Sequence, residues 1–114
     1  MKIEPNQHFK IQILSQKIFD CIKEFNNISS EEIIKKNRKL EISITRACYC
    51  YVLYNQNSCK VTYKEIGDIL GFRDHTTIIN ATKTAKNLID TKEPIITPLF
   101  NIITEKLNLT YWEK

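Results

Sequence analysis

Two helical patterns meet at a glycine between residues 62 and 89, and that junction restricts the fold more than any other feature of the chain. Upstream of it, Thr62-Tyr63-Lys64-Glu65 has the T-x-x-E form of a capping box, in which threonine and glutamate satisfy two orphan N–H groups reciprocally. Ile66, Ile69 and Leu70 follow at helical spacing. Gly71 stands where a C′ residue in the left-handed conformation stops a helix. Asp74 is then a good N-cap, because its carboxylate can accept from the N–H groups of the next first turn. At about 100° per residue, Ile78, Ala81, Thr82, Ala85, Leu88 and Ile89 form one stripe of the following helix, and Thr76, Asn80, Lys83 and Asn87 lie opposite. Helix, brief glycine-containing turn and helix make a helix-turn-helix unit. The outer stripe offers neutral hydrogen-bonding groups and a cation but no acid. It suits a groove edged by phosphates and lined with base donors and acceptors, so the second helix reads as a DNA recognition helix. Gly67 lies inside the first helix, where it costs about 1 kcal/mol relative to Ala; close approach of another helix is the expected reason for it.

The rest of the chain supplies helices to pack on this unit. After Pro5, the residues Phe9, Ile11, Ile13, Leu14, Ile18, Cys21, Ile22 and Phe25 predict a first helix, broken at Asn26-Asn27. Ser29-Ser30-Glu31-Glu32 is a second capping box, opening a short helix with Ile33 and Ile34. Ile42 to Asn55 is nearly continuously apolar, which predicts a central buried helix rather than a surface one; a strand is the competing reading, but the lack of alternation favours helix. Beyond the interruption Asp90-Thr91-Lys92-Glu93-Pro94, a last helix runs through Leu99, Phe100, Ile102, Ile103 and Leu107, and the aromatic tail from Leu109 folds back or frays. The expected fold is all-α, about six helices around a central helix-turn-helix, in a single domain over residues 1–114.

Lys35 to Glu41 is polar and weakly periodic, and is expected to be a loop leading to the central helix. Between Lys35 and Arg46 there are five cations (Lys35, Lys36, Arg38, Lys39, Arg46) against one acid, so much of the net charge of +4 is concentrated there. This is the candidate phosphate contact, with Arg38 placed to enter a minor groove, where the potential over A·T tracts is most negative. A solvated charge cluster is the plain alternative. Arg46 could reach a phosphate or snorkel from the core edge.

The four cysteines, at 21, 48, 50 and 59, show no C-x-x-C spacing and have only two histidines to complete a zinc set. Free thiols, no metal and no cofactor are expected; without a signal peptide, a reducing cytoplasm is the expected compartment. No apolar run approaches the roughly 20 residues that span a bilayer. Asp74 and His75 could belong to a metal-dependent nuclease, but Asp68, Asp74 and Asp90 are spread along the sequence, so the expectation is a protein that is not an enzyme.

The segment Ile66-Gly67, Gly71-Phe72-Arg73-Asp74-His75-Thr76-Thr77-Ile78 and Ala81 resembles the signature I-G-x-x-x-G-x-R-D-H-T-T-V of the C-terminal DNA-binding domain of the bacterial replication initiator DnaA. The likeness continues upstream through Ile28-Ser29-Ser30-Glu31-Glu32-Ile33, Lys35-Lys36-Asn37-Arg38 and Arg46-Ala47. The resemblance implies a Trp-repressor-like arrangement that binds double-stranded DNA. Arg38 would enter the minor groove, and Asp74, His75, Thr76 and Thr77 would meet base edges in the major groove. Lys36, Arg46, Lys64, Arg73, Asn80 and Lys83 would hold phosphates. The family commonly has a glycine, an arginine, a histidine and a lysine where this chain has Phe72, Leu40, Asn80 and Thr84; fewer phosphate contacts imply weaker binding and a shallower salt dependence. No G-x-x-x-x-G-K-[ST] phosphate loop occurs, so the initiator's ATPase is not expected, and the chain reads as an excised domain or a small stand-alone protein.

The function expected is therefore sequence-specific DNA binding in replication initiation or its regulation, at DnaA-box-like sites. The protein would be a nucleoid-associated, cytoplasmic monomer with replication proteins as further partners. Alternatives are a small helix-turn-helix transcription regulator and an interaction protein that mimics the initiator.

Overall fold

The computed structural model describes residues 5–35, 39–55, 61–71 and 73–107, with side chains from residue 9 onward. Six helices and no strand occur among these residues: α1 (Pro5–Asn26), α2 (Ser30–Ile34), α3 (Leu40–Tyr54), α4 (Tyr63–Ile69), α5 (His75–Asp90) and α6 (Ile96–Leu107). None is long and apolar enough to cross a membrane.

Local chemistry sets most of the boundaries. α1 gives way at Asn27, which takes the left-handed conformation (φ 62°) that asparagine tolerates better than most residues. Both capping boxes form. Ser29 Oγ accepts from Glu32 N (3.2 Å) while Glu32 Oε1 accepts from Ser29 N (2.9 Å). At α4, Thr62 Oγ1 accepts from Glu65 N (3.1 Å) and Glu65 Oε1 from Thr62 N (2.8 Å). The Ser29 backbone N–H holds the Glu32 carboxyl below its ordinary range. α6 is opened by Glu93, whose carboxylate accepts from Ile95 N (2.9 Å) and Ile96 N (2.8 Å), a cap that the sequence pattern did not reveal.

α3 is the central helix, as its apolar run predicts, and it touches each of the other five. Thr45, Ala47, Cys48, Tyr49, Cys50, Val52 and Leu53 are all buried in it. The Tyr49 ring stacks on Phe19 at 4.4 Å, and its hydroxyl bonds to Ser15 on α1. Burial pushes the thiols of Cys48 and Cys50 up, that of Cys50 to about 12, so both stay protonated and behave as small hydrophobes. Cys21 is also buried and free; Cys59 lies outside the described residues.

The structure resolves the inner side of α1 and corrects one boundary. In α1 the buried stripe is Ile11, Ser15, Ile18 and Ile22, joined by Phe19 and Cys21, whereas Phe9, Ile13 and Phe25 are exposed. Apolar residues on both sides of this helix obscured which side is the inner one. The polar pattern places Glu41 in a loop, but α3 begins at Leu40 and Glu41 occupies its first turn, where the helix dipole favours a carboxylate.

Candidate nucleic-acid interface

The turn between α4 and α5 is fixed by two glycines in different ways. Gly71 has φ +84°, the left-handed geometry expected of a C′ residue, and a Cβ there would meet Ile34 Cγ2 of α2 at 3.2 Å. Gly67 faces the turn itself. A Cβ at Gly67 would come within 2.3 Å of the Arg73 carbonyl oxygen, and Arg73 N donates to Gly67 O at 2.8 Å. The close approach expected at Gly67 therefore comes from the returning backbone, with Ile78 of α5 only second at 3.6 Å. A chain that folds back so tightly leaves α5 one direction in which to start.

Asp74 caps α5: its Oδ2 accepts from Thr76 N (3.1 Å), and its carbonyl accepts from Thr77 N (3.0 Å) and Ile78 N (3.3 Å). Asp74, His75, Thr76 and Thr77 are all exposed, so the first turn projects from the domain. His75 Nδ1 lies 3.9 Å from Asp74 Oδ1, with both side chains about two-thirds open to solvent (63% and 68%). The helix is anchored by Ile78, Thr82 and Ala85, which are buried; Thr82 satisfies its hydroxyl by donating to Ile78 O (2.9 Å). Asn80, Lys83 and Asn87 continue the outer face, exposed. From Thr76 to Asn87 this face holds donors, acceptors and one cation without an acid. Lys64, also exposed, reaches Asp68 at 3.3 Å one turn along α4.

The two remaining arginines of the expected phosphate set, Arg46 and Arg73, are engaged by main chain. Arg46 Nε donates to Ile33 O (2.7 Å) and its Nη2 to Lys35 O (2.9 Å). Arg73 Nη2 donates to Ile34 O and Lys35 O (both 2.9 Å), and its Nε to Leu70 O (3.1 Å). Both guanidiniums thus converge on the carbonyl end of α2, where a helix leaves acceptors unsatisfied and its dipole is negative. Partial burial, with Arg73 beside it, draws Arg46 below the ordinary arginine range. Neither contact was legible in the sequence, because the partners are backbone atoms far along the chain.

Lys36 and Arg38 lie outside the described residues, as do Phe72 and the aromatic tail. The basic segment is flanked by Lys35 and Lys39, both exposed. The aspartates that a nuclease would gather are used separately: Asp68 pairs with Lys64, Asp90 with Lys86 (3.0 Å), and Asp74 caps α5. Among the described residues no three His, Cys, Asp or Glu side chains group to hold a metal ion.

A helix pair anchored by a few buried residues and joined by a glycine turn, with the second helix offering an exposed, polar first turn, is the architecture of a DNA-binding helix-turn-helix domain. More narrowly, residues 15–85 match the bacterial dnaA protein helix-turn-helix, and the chain belongs to that family. Among its relatives, the chromosomal replication initiator protein DnaA 2 of Protochlamydia amoebophila is 28% identical over 98 residues, which are 86% of this chain and 21% of that protein. The chromosomal replication initiator protein DnaA of Ureaplasma parvum is 28% identical over 97 residues, 85% of this chain and 21% of the relative. The chain thus spans about one fifth of the length of these relatives. No solved structure matches it significantly.

Proposed function

We propose that this protein reads double-stranded DNA sequence-specifically, at sites of the kind that replication initiators bind, and acts in replication initiation or its control. The observation that carries the reading is the first turn of α5, where Asp74, His75, Thr76 and Thr77 stand exposed on a backbone fixed by the cap and by the Gly67–Arg73 contact. Set into a major groove, the threonine methyls and imidazole carbons pack on thymine methyl groups. Asp74 has the acceptor capacity to meet a cytosine N4 while it caps the helix. The first N–H groups of α5 favour an adjacent phosphate. Arg38 reads the minor groove, and Lys36, Lys64, Asn80 and Lys83 set the register on the backbone.

With no phosphate loop in these 114 residues, the unit reads DNA without ATP chemistry of its own. It works as a monomer in the cytoplasm, alongside other replication proteins. Selection from random duplexes, followed by a fluorescence-anisotropy titration of the enriched site, tests the proposal. His75→Ala and Thr76→Ala are each expected to cost about 1–3 kcal/mol on the preferred duplex and little on a scrambled one. Equal affinity of the wild type for all duplexes at moderate salt would overturn the specific reading. Enrichment of promoter sites unrelated to an initiator box would assign the protein to transcription instead.

A further inference from the structure

The carbonyl end of α2 is held from two directions. Arg46 reaches it from α3 through Ile33 O and Lys35 O; Arg73 reaches it from the turn before α5 through Ile34 O and Lys35 O, while also bonding Leu70 O at the end of α4. Lys35 O is the acceptor that both share. α2 has only five residues, too few to hold its own geometry in water, and it leaves the helix at once, with Lys35 extended (φ −66°, ψ 160°). Gly71 packs against Ile34 at the same spot. The main chain where the basic segment begins is therefore tied to the main chain from which the recognition helix starts.

We propose that Arg46 and Arg73 are positioning residues, whose guanidinium clamp on the α2 carbonyls fixes the start of the basic segment at Lys35 relative to the first turn of α5. This departs from the phosphate contacts that family resemblance implies for the two arginines, and it rests on the DNA-reading function proposed above. A guanidinium suits the task because its planar fork can serve two carbonyls at once, whereas an ammonium is a point charge on a flexible stem. The two roles consequently respond differently to lysine. A lysine keeps a phosphate contact, but it cannot reproduce the clamp.

The test uses Arg46→Lys and Arg73→Lys in the full chain, titrated with the duplex enriched by the wild type and with a scrambled duplex, alongside thermal melts. Each variant is expected to lose about tenfold in affinity for the preferred duplex, the scale of one charge-assisted hydrogen bond, and less than about twofold for the scrambled one. In an Arg38→Ala background, Arg46→Lys is expected to add less than about twofold, because the segment it positions no longer reads. Lysine variants that bind both duplexes as the wild type does would overturn the inference. So would losses that are fully additive with Arg38→Ala. A wild type without sequence preference would instead overturn the DNA-reading function itself. Should a lysine variant melt below the assay temperature, the wild type decides alone. Exchange-protected Nε–H signals of Arg46 and Arg73 in both free and DNA-bound protein support the clamp; loss of that protection on binding DNA overturns it.

Discussion

α2 and α4 begin alike and end differently. Each opens with a complete capping box, Ser29 with Glu32 and Thr62 with Glu65, and each is shorter than a helix that could persist alone. α4 is ended locally, by Gly71 at φ +84° and the Gly71 N–H on Asp68 O (3.3 Å). α2 has no such stop. Its carbonyls are satisfied by arginines 11 to 39 residues away, and its chain leaves extended. The difference teaches that one of these ends is a property of a few neighbouring residues, whereas the other exists only once α3 and the turn before α5 are in place. The local end aims the recognition helix. The long-range end ties the basic segment to it.

The strongest way to break this picture is at Gly67. A methyl group there would have to open a 2.3 Å approach to the Arg73 carbonyl oxygen, which is backbone and cannot swing aside. Gly67→Ala should cost about 3 kcal/mol or more, the upper range for overpacking, and lower the melting temperature by more than about 10 °C. A melt within about 2 °C of the wild type would show that the turn yields easily, and the fixed aim of α5 would fall with it.

Gly71 tests the same turn more gently. An alanine held at φ +84° pays roughly 1–2 kcal/mol for left-handed backbone, and its Cβ presses on Ile34. Gly71→Asn should recover part of that loss in a denaturant titration, because asparagine tolerates the conformation better. Equal losses for the two variants would point to the Ile34 contact rather than the backbone as the controlling factor.

The capping boxes sharpen the contrast. Thr62→Ala and Ser29→Ala should each cost about 1 kcal/mol by denaturant unfolding, because the two boxes share the same geometry. A Ser29→Ala loss well below that of Thr62→Ala would mean that α2 is held chiefly from its carbonyl end.

These same particulars separate what the sequence could disclose from what it could not. S-x-x-E, T-x-x-E, Gly71 and Asp74 act within four residues of themselves, so their roles were readable one by one. The inner stripe of α5 and the apolar run of α3 were readable because burial imposes a period, or removes it. Phe9, Ile13 and Phe25 mark the helix but not its inner side, because a hydrophobic residue on a helix surface gives the same signal as one in a core. Gly67 is legible as costly, but the neighbour that most requires it, the Arg73 carbonyl, is not, since a returning backbone leaves no side-chain trace. Arg46 and Arg73 read as phosphate contacts, with snorkelling as the alternative for Arg46, because carbonyl acceptors are present in every residue and mark nothing in a sequence. For the proposed base contacts, only the first turn of α5 lies within the described residues. The family signature pointed to it, and its exposure agrees with that reading.

The smallest effect on stability is expected just beyond the held end of α2. Leu40 opens α3 beside Lys39 and is 68% exposed, where the family commonly has an arginine. Nothing in the core depends on it, so Leu40→Arg should leave the unfolding free energy within about 0.5 kcal/mol of the wild type. Its effect belongs to binding. If the basic segment lies against DNA, a cation at this position adds a phosphate contact, and the slope of log affinity against log salt should steepen by about one. The same substitution should tighten preferred and scrambled duplexes alike, because a phosphate contact carries no sequence information. An unchanged slope would place Leu40 away from the DNA. That outcome would confine the reading surface to the first turn of α5 and the outer face behind it.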